Sequence, residues 1–190
     1  MAIGERLNVA LKEWDIVCKA LETGRQTILL RKGGISESIG GFQLEHPTFL
    51  LFPTFLHQNK SMLKPDAHGG FTPCAEEPAR ITMSGLGQVT DIVRLKSRAQ
   101  MDALDAEHIW TPPLIDMRFN YRPANPLYLL IVRAMKLPAP VTVDNTPAYA
   151  GCKSWVPLEQ AVDISGATPA IGDTEFESRR QRIRGIIEKN

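Results

Sequence analysis

The sequence predicts an α+β fold built on a mixed or antiparallel curved sheet, with a few short helices and a C-terminal helix. Segments of β-type composition alternate with only a few helical segments, and no regular strand–helix repeat is present. The connections are long and rich in proline and glycine, with 14 residues of each type. We expect residues 1–158 to form a single α+β domain, and residues 159–190 to form a C-terminal loop and a basic amphipathic helix packed on it.

Amino-acid composition and net charge limit the classes of protein to which this chain can belong. The chain has 190 residues, 43% of them hydrophobic, which is enough to bury a core. Its net charge of +1 gives no overall attraction to nucleic acid, so any such binding needs a local basic patch. The three cysteines form no CxxC pair, and Cys152 has no local base that would activate it. With no apolar stretch of about 18 residues, we expect a cytoplasmic protein with no membrane partner and no disulfide-linked partner.

The N-terminal pattern predicts a strand over residues 8–12, a helix that ends near Glu22, and a buried strand that ends at Arg31. A guanidinium at the end of an apolar strand must be paired or solvated. Arg31 therefore either pairs with a structural carboxylate or faces a cleft, where it binds an anion or a base edge. Lys32 and the following Gly33-Gly34 turn add donors suited to an anion.

The aromatic segment that follows, residues 42–58, contains two prolines that favour extended, edge or loop structure over a regular central strand. Its phenylalanines recur at a spacing of three, and two interpretations remain open. They are either core residues or a stacking surface for a base, with Phe52 at its centre. His57 and Gln58, at the end of the segment, are candidates for hydrogen bonding to a ligand.

Residues 59–80 are rich in proline and glycine, which predicts a long connection that is either a lid or disordered. A strand is expected from about Gln88, with kinks at Gly85 and Gly87, followed by a short amphipathic helix. Residues 111–126 are expected to be irregular. Their arginines, Arg118 and Arg122, lie among aromatic residues, a pattern that suits nucleic-acid contact and also ordinary packing.

The C-terminal part begins with the clearest strand of the chain, Leu127 to Leu137, which Pro138 and Pro140 are expected to end. A further short strand and a turn precede Trp155, and residues 159–174 are expected to form a loop or a short helix. The final helix carries several arginines. They form either a solvated helix face or a surface that contacts phosphates.

One string near the N-terminus carries a resemblance to a known group of domains. The order strand, helix and then GRQTILLR resembles the opening of the ASCH group of PUA-like domains, whose signature is G-x-K-x-x-E-x-R. Gly24 and Arg31 match this signature, whereas Gln26 and Leu29 replace its lysine and glutamate. The resemblance implies a PUA-like barrel, and the missing lysine and glutamate mean that ASCH catalytic chemistry is not carried over.

A second resemblance spans most of the chain. The strings ALKEW (10–14), LLRKGGI (29–35), FLLFPTFLHQ (49–58) and GCKSWVPL (151–158) are similar to an uncharacterised bacterial family known as domain of unknown function 1802. This resemblance implies no activity, because the function of that family is unassigned.

The first functional hypothesis is a nucleic-acid-binding module that accepts RNA, DNA or a modified base in a cleft of arginine and aromatic side chains. Such a cleft predicts that Arg31, His57 and Arg118 face one pocket. The predicted ligand-binding residues are Arg31, Lys32, Phe52, His57, Gln58, Arg118 and Arg122.

Two alternatives remain. One is a divalent-metal-dependent nuclease or hydrolase, in which Glu45, His46, His57 and Asp91 gather around an ion. The histidine spacing fits no metal-binding motif, so we expect no metal site and no cofactor. The other alternative is a non-catalytic partner-binding protein. The sequence indicates neither the catalytic residues nor the oligomeric state.

Overall fold

The computed structural model describes residues 5–32, 35–38, 41–151 and 153–190, without the side chains of 35–38 and 41–43. The predicted Gly33-Gly34 turn and Cys152 lie outside the described residues. The strands are β1 (Arg6–Trp14), β2 (Ile28–Arg31), β3 (Ile35–Ser38), β4 (Gly41–Leu44), β5 (Thr48–Thr54), β6 (Arg80–Leu95), β7 (Leu127–Asp144), β8 (Trp155–Asp163) and β9 (Thr168–Pro169). The α-helices are α1 (Asp15–Glu22), α2 (Arg98–Ala103), α3 (Pro112–Asn120) and α4 (Asp173–Lys189).

Seven strands form one mixed sheet with the order β2-β7-β6-β5-β1-β8, and β9 pairs with β7. β1 and β5 are parallel, whereas the other pairs of this sheet are antiparallel. Within the described residues β2 and β8 form the two edges, so the sheet is open and is not closed into a barrel. The predicted α+β class with a mixed sheet is confirmed.

The predicted strand–helix–strand opening is also confirmed, as β1, α1 and β2. Gly24 ends α1 because its backbone has φ +72° and its amide donates to the Leu21 carbonyl at 3.0 Å, an arrangement that favours glycine. A side chain at this position would also collide with Ile171, whose Cγ2 atom would lie 2.2 Å from the added Cβ.

β5 is a central strand, so the expectation that prolines would exclude one was wrong. It pairs with β1 as far as Thr54, but with β6 only over residues 48–50. Pro53 lies beyond the β6 pairing, where no antiparallel partner needs its missing amide. Pro47 lies before the strand begins.

β6 and β7 are longer than predicted, because β6 begins at Arg80 and β7 continues to Asp144. The prolines of β7 fall between Lys136, opposite Gly85, and Val141, opposite Met83, in an irregular stretch without register partners. A bulge of this kind accommodates residues that cannot donate to the ladder. The kink predicted near Gly85 corresponds to this register shift.

Two segments expected to be irregular contain helical structure. α3 occupies much of residues 111–126, because Pro112 falls in its first turn, where a missing amide costs nothing. Residues 59–80 contain the 3-10 helices Lys60–Met62 and Pro65–Gly70. This segment is attached to residues before α3 by backbone bonds, including Lys64 N to Ile109 O at 2.8 Å.

The buried hydrophobic residues form two clusters against the sheet. One cluster contains the buried sides of all four α-helices, including Phe176, Ile183 and Ile187 of α4. The other contains residues from β1, β5, β6, β7 and β8. Residues 159–163, expected to be a loop or short helix, instead continue β8. None of the described helices is both long enough and apolar enough to cross a lipid bilayer.

Candidate functional site

A cavity of about 710 Å³ opens at the sheet edge where the parallel strands β1 and β5 both end. The end of β2, one side of α3 and the segment before β8 complete its wall. Its lining residues are Lys12, Glu13, Trp14, Arg31, Phe52, Thr54, Leu56, His57, Glu77, Arg118, Asn145, Thr146, Pro147, Tyr149, Ala150, Gly151, Lys153 and Ser154.

Four of the seven residues predicted to bind a ligand line this cavity: Arg31, Phe52, His57 and Arg118. They come from β2, β5, the turn after β5 and α3, so the fold brings together residues that are as many as 87 positions apart. The three residues whose convergence the nucleic-acid hypothesis required, Arg31, His57 and Arg118, therefore face one pocket.

Arg31 is ion-paired with Glu13 through an Nη2–Oε2 distance of 2.8 Å, and the same nitrogen donates to the Lys12 carbonyl at 3.1 Å. Both side chains are nearly buried, with exposed fractions of 11% for Arg31 and 4% for Glu13. Burial lowers the pKa of Arg31, Glu13 opposes this effect, and the charge of Arg118 lowers the pKa further. Arg31 thus has a structural carboxylate partner and also lines the cleft.

The positive charge of the cavity is incompletely balanced. Glu13 and Glu77 are the carboxylates among the described lining residues, whereas the cations are Lys12, Arg31, Arg118 and Lys153. Glu77 Oε1 accepts hydrogen bonds from the amides of Phe55 and Leu56, each at 3.1 Å.

Each of the two guanidinium groups has a buried donor without a partner. Within the part of the chain that the structure describes, the buried Nε atoms of Arg31 and Arg118 have no hydrogen-bond partner. A buried unpaired donor costs about 1–3 kcal/mol and more when charged, so the described residues do not fully satisfy either guanidinium group.

Phe52 lines the cavity, but its ring is covered. Only 2% of the residue is exposed. Lys12 Nζ lies 5.8 Å from the ring centroid, and the Tyr149 ring packs edge-on at 5.9 Å. Phe49 and Phe52 belong to different hydrophobic clusters, and side chains three positions apart in a strand project from opposite faces. Of the two interpretations that the sequence left open, the burial of Phe49 and Phe52 favours core residues over a stacking surface.

The rim provides polar groups and one partly exposed aromatic ring. His57 is exposed, and Trp14 is half-buried. Imidazole can both donate and accept. Sequence reasoning missed Lys12, Glu13 and Lys153 as lining residues, although the strings ALKEW and GCKSWVPL contain them. Those two strings were the signal that could have located them.

The other three predicted residues lie outside the cavity. Gln58 Oε1 accepts from the Ile16 amide at 3.0 Å in the first turn of α1, so Gln58 caps a helix. Lys32 Nζ donates to the carbonyl of Phe119 at 2.7 Å and that of Arg122 at 3.3 Å, at the end of α3. The Arg122 guanidinium lies 5.3 Å from the Tyr121 ring centroid.

The four proposed metal ligands do not gather. Glu45 contacts His46 at 3.5 Å, and the His46 ring packs edge-on against Trp155. His57 lies at the cavity, whereas Asp91 is ion-paired with α4. Across the described residues, no group of three or more His, Cys, Asp and Glu side chains could hold a metal ion. The hydrolase hypothesis built on these residues therefore has no geometric basis.

The arginines of α4 are paired within the protein. Arg180 and Arg184 contact Asp91, Arg182 contacts Glu107 at 2.8 Å, and Arg179 contacts Glu175 at 3.2 Å. Burial opposes the ionisation of Asp91, but hydrogen bonds from Arg180 and Thr90 outweigh it and lower the pKa of Asp91. The pairing argues against α4 as a phosphate-contacting helix.

The fold and the cavity define a mixed-sheet α+β protein with a cationic cleft. Within that class, the chain belongs to the family described as Domain of unknown function (DUF1802), whose model matches residues 10–182. The predicted resemblance to this family is confirmed. The match includes every lining residue of the cavity. A comparison with curated proteins found no significant match.

Three solved structures of one protein are similar to the chain. The crystal structure of ASCH from Zymomonas mobilis is 10% identical, with a TM-score of 0.45, covering 91% of this chain and 93% of that chain. Two single-residue mutants of that protein give TM-scores of 0.42 and 0.41, at 11% and 10% identity. The alignments cover 95% and 91% of this chain and 99% and 96% of the mutants.

Proposed function

We propose that this chain binds single-stranded nucleic acid by accepting one nucleotide in the cavity. The observation that carries the proposal is the incomplete pairing of Arg31 and Arg118. They share one cavity, in which Glu13 is the carboxylate that pairs with Arg31, and each has a buried Nε donor without a partner among the described residues.

A phosphate suits these two groups for an electrostatic reason. Two guanidinium groups in one partly buried cavity repel each other, and Arg118 lowers the pKa of Arg31 accordingly. A monoanion or dianion bound between the two groups would replace this repulsion with attraction to both. The planar guanidinium fork also matches the oxygen spacing of a phosphate, with which it forms paired charge-assisted hydrogen bonds.

The size and the rim of the cavity favour a nucleotide over an isolated phosphate. A volume of about 710 Å³ is within the range of pockets that enclose small organic ligands. Trp14 offers an aromatic surface, and His57 and Thr146 offer polar groups that can bond to a base or sugar. A base that enters such a concave site must be unstacked, which favours a single strand over a duplex.

The test is fluorescence anisotropy with a labelled 12-nucleotide RNA and the DNA of the same sequence, at several salt concentrations. We expect binding that weakens as salt rises, because each phosphate contact releases counterions. Arg118→Gln should weaken binding about tenfold and reduce the salt slope by about 0.7, the contribution of one phosphate on a single strand.

Arg184→Gln is the matched control, because it removes the same charge from a half-exposed arginine of α4 and should leave affinity unchanged. Equal losses in the two variants would show that only net charge matters. No binding of either oligonucleotide at low salt would refute the proposed function. A preference between RNA and DNA would report whether the site contacts the 2′-hydroxyl.

A further inference from the structure

A second groove, of about 420 Å³, lies beside the cavity, on the other side of the end of α3. Consecutive residues line the two sites. Arg31 lines the cavity and Lys32 the groove, and in α3 Arg118 lines the cavity and Phe119 the groove. The wall between the two sites is therefore only as thick as the end of a strand and the end of a helix.

The sheet places a cation on each side of this wall. Arg31 of β2 and Arg94 of β6 both lie opposite Tyr128 of β7 in the antiparallel register. Residues directly opposite in an antiparallel sheet project from the same face, and two strand spacings separate the outer pair by about 10 Å. Arg31, Tyr128 and Arg94 thus form one row across three strands. Arg31 lies at the cavity end of this row, and Arg94 lies at the groove end.

The groove is more one-sided in charge than the cavity. Its cations are Lys32, Arg94 and Lys96, and no carboxylate is present among the described residues that line it. Arg94 and Lys96 are exposed, and within the described ranges neither side chain forms an ion pair. Lys32 is already bonded to the carbonyls at the end of α3, so it fixes the wall.

We propose that this groove binds the phosphates of the nucleotides adjacent to the one in the cavity. The strand would run from the Arg31 side of the wall to the Arg94 side, with Arg94 and Lys96 as its phosphate contacts. This inference rests on the proposed function and adds a direction and a minimum length to it, because a mononucleotide would fill the cavity but could not reach the groove.

The experiment compares a short and a long ligand on the same variants. Isothermal titration calorimetry measures uridine 5′-monophosphate, and anisotropy measures a labelled 12-nucleotide oligouridine, both with Arg94→Gln/Lys96→Gln. We expect unchanged affinity for the mononucleotide. The affinity for the 12-mer should fall about tenfold or more, with a salt slope reduced by about 1.4, since two single-strand contacts contribute about 0.7 each.

The matched control is Lys60→Gln/Lys189→Gln, which removes two exposed lysines that lie outside both sites. This control should change the affinity for neither ligand. If the groove variant binds the 12-mer as the wild type does, while Arg118→Gln still loses affinity, the groove proposal is wrong and the proposed function stands. If neither ligand binds the wild-type protein, both proposals fail. Equal losses in the control and groove variants would also overturn the groove proposal.

Discussion

Two groups of arginines in this molecule differ in how their charge is balanced. Each of the four arginines of α4 contacts a carboxylate. Two of these carboxylates, Asp91 and Glu107, are only 10% and 8% exposed. In the cavity, Arg31 pairs with Glu13, but the Nε atoms of both Arg31 and Arg118 have no partner among the described residues. The density of basic residues in the sequence is greatest at α4, yet the unbalanced charge lies at the cavity.

This difference shows that pairing, and not the number of arginines, indicates where an anion can bind. An arginine whose donors are already bonded to carboxylates must break those bonds to bind phosphate, whereas a guanidinium with an unused donor gains a partner without breaking one. Three changes test whether the two groups differ as described, and they are ordered from the largest expected effect to the smallest.

Glu13→Gln should destabilise the protein most, by about 3–5 kcal/mol, because it leaves the buried Arg31 guanidinium without its carboxylate. Urea unfolding at neutral pH measures this loss. Glu76→Gln, at an exposed position, is the control and should change stability by less than about 0.5 kcal/mol. A loss below about 1 kcal/mol for Glu13→Gln would mean that Arg31 is well solvated, and the contrast between the two groups would then disappear.

Asp91→Asn should cost less, about 1–2 kcal/mol at neutral pH. It weakens charge-assisted hydrogen bonds, but Arg180 keeps its contact with Glu177 at 3.1 Å, and Arg184 is half-exposed. The same urea titration measures this change. A loss as large as that of Glu13→Gln would show that the pairs of α4 are as critical as the cavity pair.

The acid branch of the stability profile gives a second readout for Asp91. The pKa of Asp91 is lower in the folded protein, so its contribution is present above the unfolded-state value of about 3.9 and is lost as pH falls through the folded-state pKa. Asp91→Asn should therefore be less sensitive to pH in this window than the wild type. Parallel profiles for the two proteins would contradict the stabilising role of Asp91.

Arg118→Leu should have the smallest effect on stability, from no change to a gain of about 1 kcal/mol, because it removes a charge that repels Arg31 and that has no carboxylate partner among the residues that the structure describes. Thermal unfolding of this variant beside Arg182→Leu provides the comparison, since loss of Arg182 leaves the buried Glu107 unpaired. Arg182→Leu should be the less stable variant. The reverse order would mean that Arg118 is the better-paired arginine.

The sequence predicted the fold class, the N-terminal strand–helix–strand unit and the final helix, because local periodicity and a C-terminal glycine determine them. The prediction from sequence failed where the tertiary structure accommodates a proline that would be expected to interrupt a strand or a helix. Pro53 is tolerated at the end of a strand, Pro112 begins a helix, and Pro138 lies in an irregular stretch of β7.

For the site, the sequence identified Arg31, His57 and Arg118 by residue type, and the fold places them in one cavity. It could not show that Gln58 caps α1, because Ile16 is 42 positions away. Nor could it show which arginines have carboxylate partners, because Asp91 and Arg180 are 89 positions apart. Pairing of charges is a long-range property, and local spacing does not report it.

β7 contributes to both hydrophobic clusters, with Leu129 to Val132 in one and Met135 and Leu137 in the other. Because both clusters contain side chains of this one hydrogen-bonded strand, we expect neither cluster to unfold without the other. We therefore expect a single cooperative transition on heating. Since the cavity adjoins one cluster through Phe52 and Tyr149, occupancy of the cavity should raise the melting temperature of the whole chain.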